Sequence, residues 1–275
     1  MNAPQLDLPM CEPFFREAGA GPSVVCVHSN ASTSSQWRVL MEVLANRFHV
    51  LAPDTYGAAK GLAWPMDRPV ALQDEVTMLE PVLARASMPF SLVGHSYGGA
   101  VALVAAVQQP RRVNALVLYE PTLFSLVDAA CPSPNDADGI RQTVDRAGAA
   151  LAMGNRAAAA ELFIDYWMGA GAWHATLPAR RSAIEAAIVN LQGWGRALFA
   201  EPTPLNAIAA LTMPVLLMVG RNSPASARAV ARLLAQTLPR IETLEFEGLS
   251  HMGPVTHPEV VNPAIEEFLC RHAAG

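Results

Sequence analysis

Gly94-His95-Ser96-Tyr97-Gly98-Gly99 is the stretch of this chain best suited to carry chemistry. It holds the pattern G-x-S-x-G, in which a serine stands at the apex of a strained strand-to-helix turn with its hydroxyl exposed above a sheet. A serine hydroxyl is a poor nucleophile at neutral pH, so chemistry at Ser96 would need a base within hydrogen-bond reach. Three fixed positions match by chance in roughly one chain in ten of this length, so the neighbouring residues must support the reading. They do: Phe90-Ser91-Leu92-Val93 is a short, mainly apolar run, and an apolar, alanine-rich segment lasts from the turn to Pro110. That is strand, tight turn, helix. Other chemistries lack their residues. Lys60 is the only lysine and no G-x-x-x-x-G-K-[ST] surrounds it, which excludes a P-loop and leaves one candidate for a Schiff base. There is no H-E-x-x-H and no cluster of His and Cys, so neither a metal nor an organic cofactor is expected.

The elements that must position Ser96 alternate along the chain. Phe14 to Glu17 reads as a short strand, Ala18 to Pro22 as a hairpin turn, and Val24 to Val27 as a buried β-branched strand ending at His28. Ser34 or Ser35 is placed to cap a helix running to about Asn46. Phe48 to Ala52 is the next strand, and Leu72 to Ala86 a helix interrupted by Pro81. After Ala115 to Tyr119 the strand signals stop until Val215 to Val219, and helical segments fill the gap at about Asp136 to Met153, Asn155 to Met168 and Pro178 to Phe199. A helix over Ala225 to Thr237, a last strand over Thr243 to Phe246 and a helix over Pro258 to His272 complete the chain. The expectation is an α/β fold with a mostly parallel central sheet, helices on both faces and a helical insertion. Residues 1–121 and 206–275 would form the core and 122–205 the insertion. In such sheets sites form beyond the carboxyl ends of the strands, where His28 to Asn30, Ser96, Glu120, Gly220 to Ser223 and His251 all fall.

Composition narrows the partners. At 275 residues, 52% hydrophobic and 16% charged, the chain can bury a large core. A net charge of -5 without a basic run argues against nucleic acid and anionic membrane surfaces and leaves a small-molecule substrate. The first twenty residues carry Asp7, Glu12 and Glu17 and no continuous apolar stretch, so neither a signal peptide nor a membrane span is expected. Cys11, Cys26, Cys131 and Cys270 lie far apart, which fits reduced thiols and a cytoplasmic location.

Taken together, Val27-His28-Ser29-Asn30-Ala31-Ser32, Ala52-Pro53-Asp54, the Gly94 to Gly99 turn and Ser250-His251-Met252 resemble the α/β-hydrolase superfamily in order and spacing over nearly the whole chain. The resemblance implies a serine hydrolase fold with a helical cap. It makes Ser96 the nucleophile and His251 its base, with the N–H groups of Tyr97 and Asn30 as oxyanion donors. His28 and His95 read as buried packing or hydrogen-bonding histidines, Asp54 as a turn residue, and His257 as the start of the closing helix. The chain departs from the family at two places. Where His-Gly is usual it has His28-Ser29, and the Ser29 side chain could narrow the site or add a hydroxyl donor. Where an aspartate commonly follows the strand at Val215 to Val219, it reads Gly220-Arg221-Asn222-Ser223-Pro224, with Ser223 in the acid's position. The acid is then expected to be Glu120, with Asn222 as a neutral second choice.

The function expected on this basis is hydrolysis of a small or medium ester or related acyl compound through a Ser96 acyl-enzyme. Carbon–carbon bond hydrolysis, cofactor-free perhydrolysis and a catalytically silent ligand-binding relative are the alternatives. An aspartate-nucleophile dehalogenase is disfavoured, because Ser96 stands in the nucleophile's place. The insertion's aromatic rings either fill its interface with the sheet or line an apolar pocket beneath a lid. Candidate pocket residues are Ser29, Phe124, Phe163, Trp167, Trp194 and Met252.

Overall fold

Five strands, each buried at every position or at all but one, form the middle of the molecule, flanked by two strands that are more exposed. The computed structural model describes residues 12–272, and Cys11 lies outside them. The strands are β1 (Phe15–Ala18), β2 (Ser23–Val27), β3 (His49–Pro53), β4 (Phe90–His95), β5 (Val113–Tyr119), β6 (Val215–Gly220) and β7 (Ile241–Phe246). They make one sheet in the order β1-β3-β2-β4-β5-β6-β7, with β1 antiparallel to β3 and every other pairing parallel. Parallel strands covered on both faces read as continuous apolar runs, as in SVVCV and VLLMVG. The edge strand β7, IETLEF, instead carries exposed charged and hydroxyl side chains, which blunt an open edge.

The period of two along each strand divides the core. Val24, Cys26, Val93, Val117 and Met218 face one side of the sheet, where they pack with α1 (Arg38–Leu44) and α13 (Pro258–His272). Val25, Val27, Leu92, Leu118 and Leu217 face the other side, against α2 (Leu72–Leu83), α3 (Tyr97–Gln108) and α11 (Ala225–Thr237). Helix α3 is buried from Tyr97 to Ala106, which explains why its sequence has no polar stripe. Between β5 and β6 come α4 (Ser125–Ala130), α5 (Asp138–Ala152), α6 (Arg156–Met168), α7 (Ala172–Ala175), α8 (Pro178–Ala187), α9 (Leu191–Phe199) and α10 (Leu205–Ala209), and α12 (Gly253–Thr256) precedes α13. Among the described residues no helix is long and apolar enough to cross a membrane. Cys26, Cys131 and Cys270 are free thiols.

Several local expectations need correction. The Ala18 to Pro22 segment is not a hairpin turn, because β3 lies between β1 and β2. The segment runs close under the start of β3, where a Cβ on Gly19 or Gly21 would strike the backbone of residues 45–48. Thr33, rather than Ser34 or Ser35, caps the next element by accepting from the Ser35 N–H, and that element opens as a 3-10 turn over Ser34–Trp37. Pro81 does not interrupt α2, which continues to Leu83: so near the helix's end the missing N–H costs one bond and the chain keeps its course. The segment from Pro178 to Phe199 is two helices, separated by a 3-10 turn at Ile188–Asn190. The last strand starts two residues earlier than expected, at Ile241.

Candidate active site

Strand β4 delivers Ser96 to the carboxyl edge of the sheet, and α3 starts at the next residue. Ser96 holds φ 56° and ψ -119°, a conformation that L side chains rarely adopt. The turn is kept by the Ser96 N–H donating to the Tyr119 carbonyl at 3.0 Å. It is kept also by Gly94 and Gly98, where added Cβ atoms would collide with the backbone of residues 98–99 and 27–28 respectively. Among the described residues the non-glycine positions with positive φ are Ala31 (51°), Ser96 and Glu120 (44°). All three lie where β2, β4 and β5 end, and backbone strain of this kind clusters at functional sites.

Three buried side chains meet there. His251 Nε2 lies 2.8 Å from Ser96 Oγ, and His251 Nδ1 lies 2.6 Å from Glu120 Oε2. Since a carboxylate only accepts, Nδ1 carries the proton it donates to Glu120, and Nε2 is left to accept from the serine hydroxyl. The other Glu120 oxygen, Oε1, accepts from the Gly220 N–H at 2.7 Å and from Ser223 Oγ at 2.5 Å. The serine standing in the usual place of the acid therefore supports the acid that reaches His251. Asn222 is exposed, and its N–H donates to the Leu249 carbonyl.

The loop carrying His251 is held from two strands. Tyr119 Oη donates to the Ser250 carbonyl at 2.8 Å, and His95 Nε2 donates to the His251 carbonyl at 2.8 Å. His95 Nδ1 in turn accepts from Gln36 Nε2, and Gln36 Oε1 accepts from the N–H and hydroxyl of Ser29. That chain requires a neutral His95, and burial together with the neighbouring His251 holds its imidazolium form well below the usual histidine range. His28 is likewise pushed down, chiefly by burial; its Nδ1 donates to the Ser29 carbonyl and its Nε2 accepts from the Thr55 N–H. Asp54 accepts from the Ser34 N–H at 2.6 Å, and His257 is exposed. Sequence reasoning missed Gln36 and Tyr119. Nothing local marks them, since Gln36 sits 59 residues from His95 and Tyr119 sits 131 from Ser250.

A cavity of about 310 Å³ is lined by Asn30, Phe163, Trp167 and Met252 among others, so it borders the residue after His251 but not Ser96 or His251 themselves. Trp167 also stacks on the His251 ring, with centroids 3.9 Å apart and planes inclined by 25°. Three residues proposed from sequence for the pocket do not line this cavity. Ser29 is buried and spends its hydroxyl on Gln36, so it neither narrows the cavity nor offers a free donor. Phe124 lies a layer behind, stacked against Trp167 and tilted against Phe199. Trp194 is packed between Trp64 and Phe163. Tyr97 opens α3, where backbone N–H groups have no partner within the helix, and its hydroxyl donates to buried Glu75 at 3.0 Å. Among the described residues no group of three or more His, Cys, Asp or Glu could hold a metal ion.

The alpha/beta hydrolase family model matches residues 24–264, which spans the sheet from β2 to β7 and every group described above. The chain belongs to the alpha/beta hydrolase family. It is 35% identical over 109 residues to an uncharacterized protein of Mycobacterium tuberculosis, covering 38% of this chain but only 30% of that protein. It is 29% identical over 261 residues to a pimeloyl-[acyl-carrier protein] methyl ester esterase of Nitrosomonas europaea, covering 91% of this chain and 96% of the esterase. Among solved structures, an alpha/beta hydrolase from Sphaerobacter thermophilus superposes with a TM-score of 0.73 at 27% identity, covering 94% of this chain and 96% of that one. An alpha/beta hydrolase with a seven-stranded, mostly parallel sheet is thus the architecture that carries Ser96, Glu120 and His251.

Proposed function

We propose that the protein is a serine hydrolase that cleaves a small or medium ester through a Ser96 acyl-enzyme. The observation that carries this reading is the Ser96–His251–Glu120 chain, with contacts of 2.8 and 2.6 Å. His251 Nε2 takes the hydroxyl proton as Ser96 Oγ attacks the carbonyl carbon, and Glu120 stabilises the imidazolium that forms. The face of Trp167 adds a cation–π contribution on the order of 1 kcal/mol. The N–H groups of Tyr97 and Asn30 hold the developing oxyanion. His251 then passes its proton to the leaving alcohol, and a water that it activates releases the acid from Ser96. Residues 122–205 act as the cap over this site. Resemblance to pimeloyl-[acyl-carrier protein] methyl ester esterases over nine-tenths of the chain supports an ester as the scissile group.

The test is intact mass after treatment with a fluorophosphonate, on the wild type and on Ser96→Ala. One adduct on the wild type and none on the variant is expected. An unmodified, folded wild type would overturn the acyl-enzyme and leave a ligand-binding relative as the reading.

A further inference from the structure

The cavity beside Trp167 does not end in apolar side chains. It is lined by Ile164, Met168, Leu177 and Ile184, and among its lining residues the only charged one is Arg180, on α8. Ala31, Arg180, Ile184 and Val255 also line a second groove, so the two run together across Arg180. That groove adds Arg38, at the start of α1, and the hydroxyl residues Ser32, Thr33 and Ser35, and it contains no acidic residue. Arg38 and Arg180 are 142 positions apart in the chain, yet the fold brings them to one trench whose inner wall includes Trp167, the ring stacked on His251.

Three other grooves that carry arginines each include an acidic residue, Asp67, Glu245 or Asp136, whereas neither part of this trench does. The protein has 24 acidic against 19 basic residues. Arg68, Arg85, Arg112, Arg141, Arg221, Arg232 and Arg271 each have a carboxylate partner within ion-pair distance. Arg38 and Arg180, like Arg111, Arg146, Arg156, Arg196 and Arg228, have neither an ion pair nor a side-chain hydrogen bond among the described residues; what sets them apart is that both line one trench without a carboxylate. Two guanidinium groups at the open end of an apolar cavity match a ligand that is apolar near the reacting bond and anionic at its far end. The hydroxyls of Ser32, Thr33 and Ser35 are further donors for the same anion.

We propose that the substrate is an ester whose end remote from the scissile bond carries an anionic group, a carboxylate or a phosphate, held in the groove of Arg38 and Arg180. This rests on the serine-hydrolase reading above and specifies its substrate class. The anion takes no part in the chemistry; it fixes how the ester is presented to Ser96, so its effect falls on kcat/KM.

The experiment compares matched substrates at low salt. One pair is the monomethyl ester of a dicarboxylic acid against the methyl ester of a monocarboxylic acid of equal chain length. The other is the methyl ester of a fatty acid bearing a terminal phosphate against the methyl ester of the matching ω-hydroxy acid. For at least one pair the anionic member is expected to have a kcat/KM about tenfold or more higher, the size of one charge-assisted hydrogen bond. That ratio should fall toward one in the Arg38→Gln/Arg180→Gln double variant and in 0.5 M salt. The pair that shows the ratio distinguishes carboxylate from phosphate. Ratios near one for both pairs, or a ratio that survives in the double variant, would overturn the proposal. If the wild type cleaves no ester and takes no fluorophosphonate adduct, the parent reading has failed. Calorimetric titration with the anionic and neutral esters then decides the groove by itself: tighter binding of the anionic member, lost in the double variant, sustains it, and equal binding rejects it.

Discussion

Glu120 meets three donors, the N–H of Gly220 at the end of β6, the Ser223 side chain and His251, while fully buried and in a left-handed backbone conformation. A buried carboxyl with its lone pairs this fully used is held in one orientation, which directs Oε2 at the imidazole. Under the proposed chemistry, Glu120→Gln keeps the packing but leaves an imidazolium without its counter-charge. Its kcat is expected to drop on the order of 10³- to 10⁴-fold, with thermal unfolding close to that of the wild type. Steady-state kinetics on any ester the wild type accepts would check this, and an unchanged kcat would reduce Glu120 to a packing residue. The same logic accounts for Ser223: a serine there can donate to Glu120, whereas an aspartate would put a second negative charge against the first.

At the scale of elements, the site depends on the closeness of β2, β4 and α3. Gly98 sits where a side chain would overlap the carbonyl oxygens of Val27 and His28, so α3 can approach β2 only because that position has no Cβ. Gly98→Ala is expected to destabilise the protein by about 1–3 kcal/mol in urea denaturation, by overpacking against backbone that cannot rotate away. Fluorophosphonate labelling should fall at the same time, because any relief moves the first turn of α3 and the N–H of Tyr97. Full labelling in a variant of unchanged stability would show that the site does not depend on this close approach. The loop carrying His251 is a second case: its two carbonyls are tied to Tyr119 on β5 and His95 on β4, so the base is referenced to the same strands as the nucleophile and the acid.

For the whole molecule, Glu75 is a buried carboxyl with no cation beside it. Burial pushes it up to about 7, against the hydrogen bonds from the Tyr56 N–H and Tyr97 Oη, which pull it down. The folded chain therefore binds this proton more tightly than the unfolded chain does, whose carboxyl is near 4.5. Between those two values the native state holds more protons, so this group makes stability fall as pH rises from about 4.5 to about 7, by on the order of 3 kcal/mol. Glu75→Gln can keep both contacts, with its amide oxygen toward Tyr56 and its NH₂ donating to the Tyr97 hydroxyl. It should flatten that slope and be the more stable form at pH 8, as read by chemical denaturation at pH 5, 6, 7 and 8. Parallel curves for the two proteins would mean that Glu75 is ionised throughout.

The sequence by itself determined the parallel sheet, through buried β-branched runs ended by Gly, Pro and Asp, and it determined the turn at Ser96, because G-x-S-x-G between a strand and an alanine-rich helix has few other ways to fold. It also singled out Glu120 and His251, since each follows a strand on the sheet's carboxyl edge. Only the tertiary structure decided what those groups touch. The partners Gln36, Tyr119, Ser223 and Trp167 come from 59 to 131 positions away, and no local pattern encodes such a distance. The order of β1, β3 and β2 was hidden for the same reason: a short connection looks like a hairpin in sequence, while strand pairing is chosen by the faces that β1 and β3 can bury together. The pocket followed that rule as well. Phe124, Trp194 and Trp167 are equally apolar in sequence, and only packing puts Trp167 against the cavity and the other two behind it.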